Sequence, residues 1–369
     1  MNDSIMALIT KPKSSASSSQ IGRDNNFDMI RLFAAFQVVL FHVCDRLQIS
    51  IPDLMWLRNF KGVLIFFTIS GFLVTSSLLR NNSIKRYCIN RFLRIYPALY
   101  GLTTLTILAM LFTHDITFSS FGDKNFIWWV FSWITINQNY TPDCLSGFGI
   151  GTPNGSLWTI PIEIAFYVIL PFVLLPFFRK RKRMEVAVLF FLIMISVFSN
   201  HYWHDFWATN KWKNIFSYSV IPYLYAFLFG GLISLFWDKF KPYFVNKLLY
   251  YLLPFLLLII IDIYYPQCGM HTSMTIHTIR ELFMNFLLSA TTIAAAYSFV
   301  NINKILRGND ISYGVYLFHG LVINLIIEIT NYRGVILYPI VYAASIVLSY
   351  FSWKFIESPA LALKAHIKQ

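Results

Sequence analysis

Charge is what this 369-residue sequence has least of. Only 13% of its residues are Asp, Glu, Lys or Arg, against about 25% in ordinary soluble domains. With 57% hydrophobic residues, that scarcity excludes a soluble globular enzyme and a disordered chain alike. Acidic residues are the rarest, 17 against 30 basic, for a net charge of +13. On a soluble protein that balance would raise nucleic acid; on a chain this apolar it is a topology signal, and no nucleic-acid partner is expected. The four cysteines (Cys44, Cys88, Cys144, Cys268) form no CxxC or zinc-like spacing, so no metal site is expected. Residues 1–26 lack the early apolar core and small-residue cleavage site of a signal peptide. They are polar and Ser-rich, and read as a disordered cytoplasmic tail. No soluble domain, linker or internal repeat is visible.

What the sequence has is aromatic residues and long apolar runs. Ten Trp, 21 Tyr and 36 Phe suit bilayer interfaces and a lipid-facing surface. Ten spans are predicted: 27–47, 61–79, 95–113, 157–178, 184–200, 216–236, 248–265, 281–299, 311–330 and 335–353. The predicted fold is all-α, a polytopic integral membrane protein of about ten transmembrane helices. Its membrane domain covers 27–356, followed by a cytoplasmic tail, 357–369. With both termini cytoplasmic, 22 of the 30 basic residues fall on the inner side, as the positive-inside rule requires. The segment 125–140 reads as a re-entrant or interfacial piece of an external loop, with Trp128, Trp129 and Trp133 at the interface. Cys144 and Cys268 both fall in external loops of this topology, which allows a disulfide between them.

Polar residues inside the apolar runs mark the candidate site. Arg31 and His42 lie eleven residues apart on the first span, on one helix face and about 16 Å apart along the axis. A buried imidazole suits a general base acting on a hydroxyl. Taken alone, the pair fits equally a packing histidine and a snorkelling arginine. Asp45, three residues on, either pairs with His42 or faces water. Arg91 and Arg94, where a basic loop enters the third span, can grip phosphate oxygens or anchor to lipid headgroups. Ser70 and Gly71 form a small notch in the second span, fit for helix packing or for a ligand arm. Glu163, just inside the fourth span, either complements the helix N-terminus or orients an acceptor hydroxyl. Tyr316 and His319, three apart on the ninth span, face one side. His201 and His204 make an HxxH pair without an evident third metal ligand.

In order along the chain, the Arg31–His42 spacing, FFTISGFLV, RFLRIYPAL, SLWTIPIEIAFY, SYGVYLFH and FIESPA resemble the motifs of the acyltransferase-3 family of integral membrane acyltransferases. The resemblance covers about residues 27–360. It implies O-acyl transfer, usually of acetyl, from cytosolic acetyl-CoA as cosubstrate to a hydroxyl of a lipid-linked or surface glycan. The implied setting is the inner membrane, with the lipid bilayer as a partner and no permanently bound cofactor. It marks His42 as the essential histidine, Glu163 as a site residue and Arg31, Arg91 and Arg94 as donor-side arginines. Direct attack with His42 as base and an acyl-histidine intermediate both remain open at this point. Many relatives carry a C-terminal SGNH hydrolase-like domain, and none is visible in this sequence. The alternative function is a polytopic transporter of a lipid-linked or anionic sugar, which would also need intramembrane Arg, His and Glu. The external tryptophans Trp128, Trp129, Trp203, Trp207 and Trp212 suit interface anchoring or stacking on sugar rings.

Overall fold

A computed structural model describes residues 25–80, 83–178, 182–202, 219–264, 274–299, 302, 306 and 308–365. The 1–24 tail, Trp203, His204, Trp207, Trp212 and Cys268 lie outside these residues.

Thirteen α-helices make up the described chain: α1 (Phe27–Leu47), α2 (Gly62–Arg80), α3 (Ile84–Phe112), α4 (Lys124–Ile134), α5 (Thr159–Phe178), α6 (Lys182–Tyr202), α7 (Leu224–Leu235), α8 (Trp237–Phe244), α9 (Leu248–Tyr264), α10 (Met274–Ala296), α11 (Ser312–Ile329), α12 (Leu337–Ser352) and α13 (Ser358–Ala362). Each of the ten predicted apolar segments corresponds to one of them. Six of the described helices are long and apolar enough to cross a membrane. A seventh span results if the segment 221–235 and α8, bent by 103° at Phe236, count as one. Of the predicted spans beyond these, α9 is short: its 17 residues rise about 25 Å, against a hydrocarbon core of about 30 Å.

Local chemistry sets the ends of the helices that carry polar residues. α1 has Asp28 in its first turn and stops at Gln48, whose left-handed backbone (φ 54°) directs its N–H to the Cys44 carbonyl. α3 begins much earlier than the predicted third span, because the Ser83 side chain caps it by accepting from the Arg86 N–H. Its 29 residues rise about 43 Å. Arg91 and Arg94 therefore sit on rigid helix rather than in an entry loop.

α4 has 11 residues, too few to span. It follows α3's C-terminal end and runs back beside that helix until the Thr135 carbonyl accepts from the Tyr96 hydroxyl at 2.9 Å. Tyr96 lies sixteen residues before Phe112, so the segment turns back at depth. The Gln138 amide donates to the Trp133 and Thr135 carbonyls, satisfying the backbone where the chain reverses. The three tryptophans divide. Trp128 is 60% exposed, whereas Trp129 and Trp133 are fully buried and pack on each other with ring centroids 4.7 Å apart. Those two are core of the turn and not interface anchors.

The notch at Gly71 is closed by protein. A Cβ there would lie 1.8 Å from the Phe227 carbonyl oxygen, and one on Gly230 would lie 2.1 Å from the Thr68 carbonyl oxygen. α2 and α7 thus meet backbone to backbone through small residues. Gly71→Leu should drive these helices apart and lower the heat-aggregation midpoint of the detergent-solubilised protein by several degrees. Gly122→Ala, with open space around it, should leave the midpoint unchanged.

Candidate active site

A cavity of about 310 Å³ opens between α1, α2, α3, α5 and α11. Its lining includes Arg31, Arg91, Arg94, Ser70, Glu163 and Tyr316, all singled out in the sequence. Gly71 and Asp45 are not among its lining residues. Gly71 faces α7, and Asp45 accepts from the exposed Arg58 guanidinium at 2.7 Å, away from His42.

One end of the cavity is basic. Arg31, Arg80, Arg91, Arg94 and Lys364 line it, drawn from α1, the end of α2, the first turns of α3 and the chain after α13. Asp310, just before α11, organises two of them. Its carboxylate accepts from Arg94 at 2.5 Å and from Arg31 at 3.4 Å. Its other oxygen accepts from the Ser312 N–H and hydroxyl at 3.3 and 2.5 Å. Burial opposes ionisation here, but Arg94 and Arg31 outweigh it and hold the carboxyl at about 2. The Arg91 guanidinium stands over the Tyr87 and Tyr167 rings at 5.9 and 5.4 Å. Among the described residues, Arg80, Arg91 and Lys364 form no ion pair. Burial, then Arg91 and Arg94, push the Lys364 ammonium down to about 8.

The middle of the cavity is a small polar patch. Glu163 accepts from the Ser70 hydroxyl at 3.0 Å and from the Tyr167 hydroxyl in a short bond. The far wall is Tyr316. Its hydroxyl is held between the Thr159 hydroxyl at 2.8 Å and the Ser156 carbonyl at 2.7 Å, and its ring stands edge-on to Phe66.

His42 lies past that wall. Its Nδ1 is 2.7 Å from His319 Nε2, and the His319 ring meets the Tyr316 ring edge-on, centroids 5.8 Å apart. His319 is completely buried, while His42 keeps part of its surface accessible. His319 is thus the direct partner of His42. One turn further along the same face of α1 is Arg46, set against Gly155, with its Nη1 buried and without a hydrogen-bond partner among the described residues.

Four features escaped the sequence: Asp310, Lys364, Arg46 and the histidine pairing. Arg46 was within reach, since it follows His42 by four residues. Asp310 carried the signal of an Asp two residues before a helical Ser. Lys364 belonged to a segment read as a trailing tail. The histidine pairing joins residues 277 positions apart, which no local pattern encodes.

A family model described as an acyltransferase domain matches residues 24–354. The chain belongs to the acyltransferase-3 family. It is a multi-pass membrane O-acyltransferase, and the transporter alternative falls. Nodulation protein 10 of Rhizobium leguminosarum bv. viciae is 33% identical over 366 residues, 94% of this chain and 95% of that protein. Peptidoglycan O-acetyltransferase OatA of Listeria monocytogenes serovar 1/2a is 30% identical over 172 residues, 44% of this chain and 26% of that one. The O-acetyl transferase of Shigella phage Sf6 is 31% identical over 159 residues, 40% of this chain and 45% of its own. No solved structure matches.

The Asp310 cluster yields a direct expectation. Asp310→Asn removes the ion-pair partner of the buried Arg94, while Arg31 keeps Asp28 at 3.4 Å, and should cost roughly 3–5 kcal/mol. The midpoint of heat aggregation in detergent reads this loss. Arg58→Ala, which breaks the exposed pair with Asp45, should cost under about 1 kcal/mol.

Proposed function

We propose that the enzyme moves an acetyl group from acetyl-CoA to a hydroxyl of a lipid-linked or surface carbohydrate. In this reading the basic end faces the cytoplasm and the protein lies in the inner membrane. One observation carries it: a single cavity has five cations at one end and ends at the other on Tyr316, whose ring meets His319, the partner of His42. The carbohydrate acceptor is supported by relatives named as O-acetyltransferases, one of them for peptidoglycan.

The CoA phosphates bind Arg80, Arg91 and Lys364, the cations of this end that form no ion pair among the described residues. Arg31 and Arg94, shared with Asp310, form the rim. The pantetheine arm extends past Ser70 and Glu163, over a span comparable with the roughly 16 Å between Arg31 and His42. The thioester comes to lie at the Tyr316 end, beside the His319–His42 pair. The acceptor hydroxyl arrives from the opposite end. His42 takes its proton as the oxygen attacks the thioester carbonyl. The tetrahedral oxyanion faces the unpartnered Arg46 Nη1. The C–S bond then breaks, and the proton passes from His42 to the departing thiolate to give free CoA.

The test supplies labelled acetyl-CoA to inside-out vesicles with a candidate glycan. Label should appear on the glycan as an alkali-labile ester. His42→Ala should reduce it by on the order of 10²-fold or more while leaving the protein inserted. Undiminished acylation by that variant removes the base role.

Lys364 adds a pH dependence. Its protonated form attracts phosphate, so the charge is present below about pH 8 and lost above it. The acetyl-CoA kcat/KM should fall as pH rises through that value. Lys364→Met should flatten this limb and raise the donor KM roughly tenfold with little change in kcat.

A further inference from the structure

We propose that His319 is a positioning residue that fixes the tautomer of His42, so that the lone pair used in catalysis is on His42 Nε2. The inference rests on the reading of His42 as the base and names the atom that does the work.

His319 Nδ1 lies 3.2 Å from the Val315 carbonyl oxygen. A carbonyl oxygen only accepts, so Nδ1 carries a hydrogen. An imidazolium at His319 would be cut off from water, and no ion pair to it exists among the described residues. The ring is therefore neutral, and a neutral imidazole with a proton on Nδ1 has a bare Nε2. That bare nitrogen is the one 2.7 Å from His42 Nδ1. His42 Nδ1 must then be the donor, which leaves His42 Nε2 unprotonated.

The ring geometry supports a bond in the plane of both rings. The centroids are 5.0 Å apart and the planes differ by 25°. That separation is about the N···N distance plus the two ring radii, so the nitrogens meet edge to edge and not face to face. The chain runs from a helix carbonyl through one imidazole to the next, and has a single direction. Without it, a neutral His42 would divide between two tautomers, one of which presents an N–H to the acceptor hydroxyl in place of a lone pair. When His42 takes the proton at Nε2, its Nδ1–H still donates to His319, so the imidazolium keeps a hydrogen-bond acceptor throughout the reaction.

The closing experiment has two arms. In the first, full-length protein labelled with ¹⁵N-histidine is reconstituted in lipid bilayers and observed by solid-state NMR. The His42 signals are identified by their loss in His42→Ala. The expected result is a protonated Nδ1 and a bare Nε2 on His42, with a nitrogen–nitrogen coupling from that Nδ1 to His319. A His42 protonated on Nε2 overturns the proposal. This arm uses the unaltered protein, so it does not depend on whether a buried substitution folds. In the second arm, His319→Leu removes the acceptor and His319→Gln supplies another. His319→Leu should lower kcat by on the order of 10²-fold with the acetyl-CoA KM unchanged, and His319→Gln should recover most of that loss. Wild-type kcat in His319→Leu, with His42→Ala inactive, overturns this inference and leaves the base reading standing. Activity retained in His42→Ala overturns the base reading, whatever tautomer the spectra report.

Discussion

A single buried carboxylate organises the basic end of this protein. Asp310 is 8% exposed and accepts from guanidiniums on α1 and α3 while also receiving the N–H and hydroxyl of Ser312 at the head of α11. An isolated charge at that depth would be strongly disfavoured. Two cations and two further donors make it stable, and in return it ties three helices together at one level. The consequence for function is orientation. Arg31 and Arg94 cannot wander, so the rim of the cavity keeps its shape, while Arg80, Arg91 and Lys364 keep charge available for a ligand.

The opposite end is built on neutral hydrogen bonds. Tyr316 is anchored through Thr159 and the Ser156 carbonyl, and Asn154 donates to the Leu317 carbonyl. The 3₁₀ turn Gly155–Trp158 is thereby fastened to α11 beside the histidines. No carboxylate pairs with either histidine among the described residues, and that has a chemical advantage. A neutral imidazole is the form that accepts a proton, and a nearby carboxylate would favour the imidazolium instead. Placing Asp45 on Arg58, and Glu163 on Ser70 and Tyr167, keeps both carboxylates in other hydrogen bonds.

Much of the fold was legible because apolar runs and helix boundaries are local. α1 spans the residues predicted for it, and Arg31 and His42 share its stripe because 3.6-residue periodicity requires it. The motifs that carried the family resemblance also carried Arg91, Arg94, Ser70 and Glu163 into one cavity. The sequence could not convey which polar groups satisfy each other. Gly71 looked equally suited to a ligand and to a helix, and only the Phe227 carbonyl against it decides. Trp129 and Trp133 share the composition of an interface belt, yet the chain reversal at Thr135 buries them. Glu357, in the FIESPA motif, is buried at the π turn Trp353–Glu357 and accepts from Ser352. Its place near Arg94 follows from tertiary packing alone.

Within a bilayer every buried polar atom needs a partner, because water is not there to supply one. Along the path from the basic end to His42 that rule is largely obeyed: Glu163 has Ser70 and Tyr167, Tyr316 has Thr159, and His319 has a backbone carbonyl. Along that path, among the described residues, two arginines break it, Arg91 through Nε and Arg46 through Nη1, and they stand at its opposite ends. An unfilled donor on a cation is costly unless something else fills it. A phosphorylated donor at the Arg91 end and a developing oxyanion at the Arg46 end would each supply the missing acceptor. In the proposed reading, these two atoms are where substrate oxygen would bind, and the satisfied groups between them line the path of an extended donor that needs no recognition there.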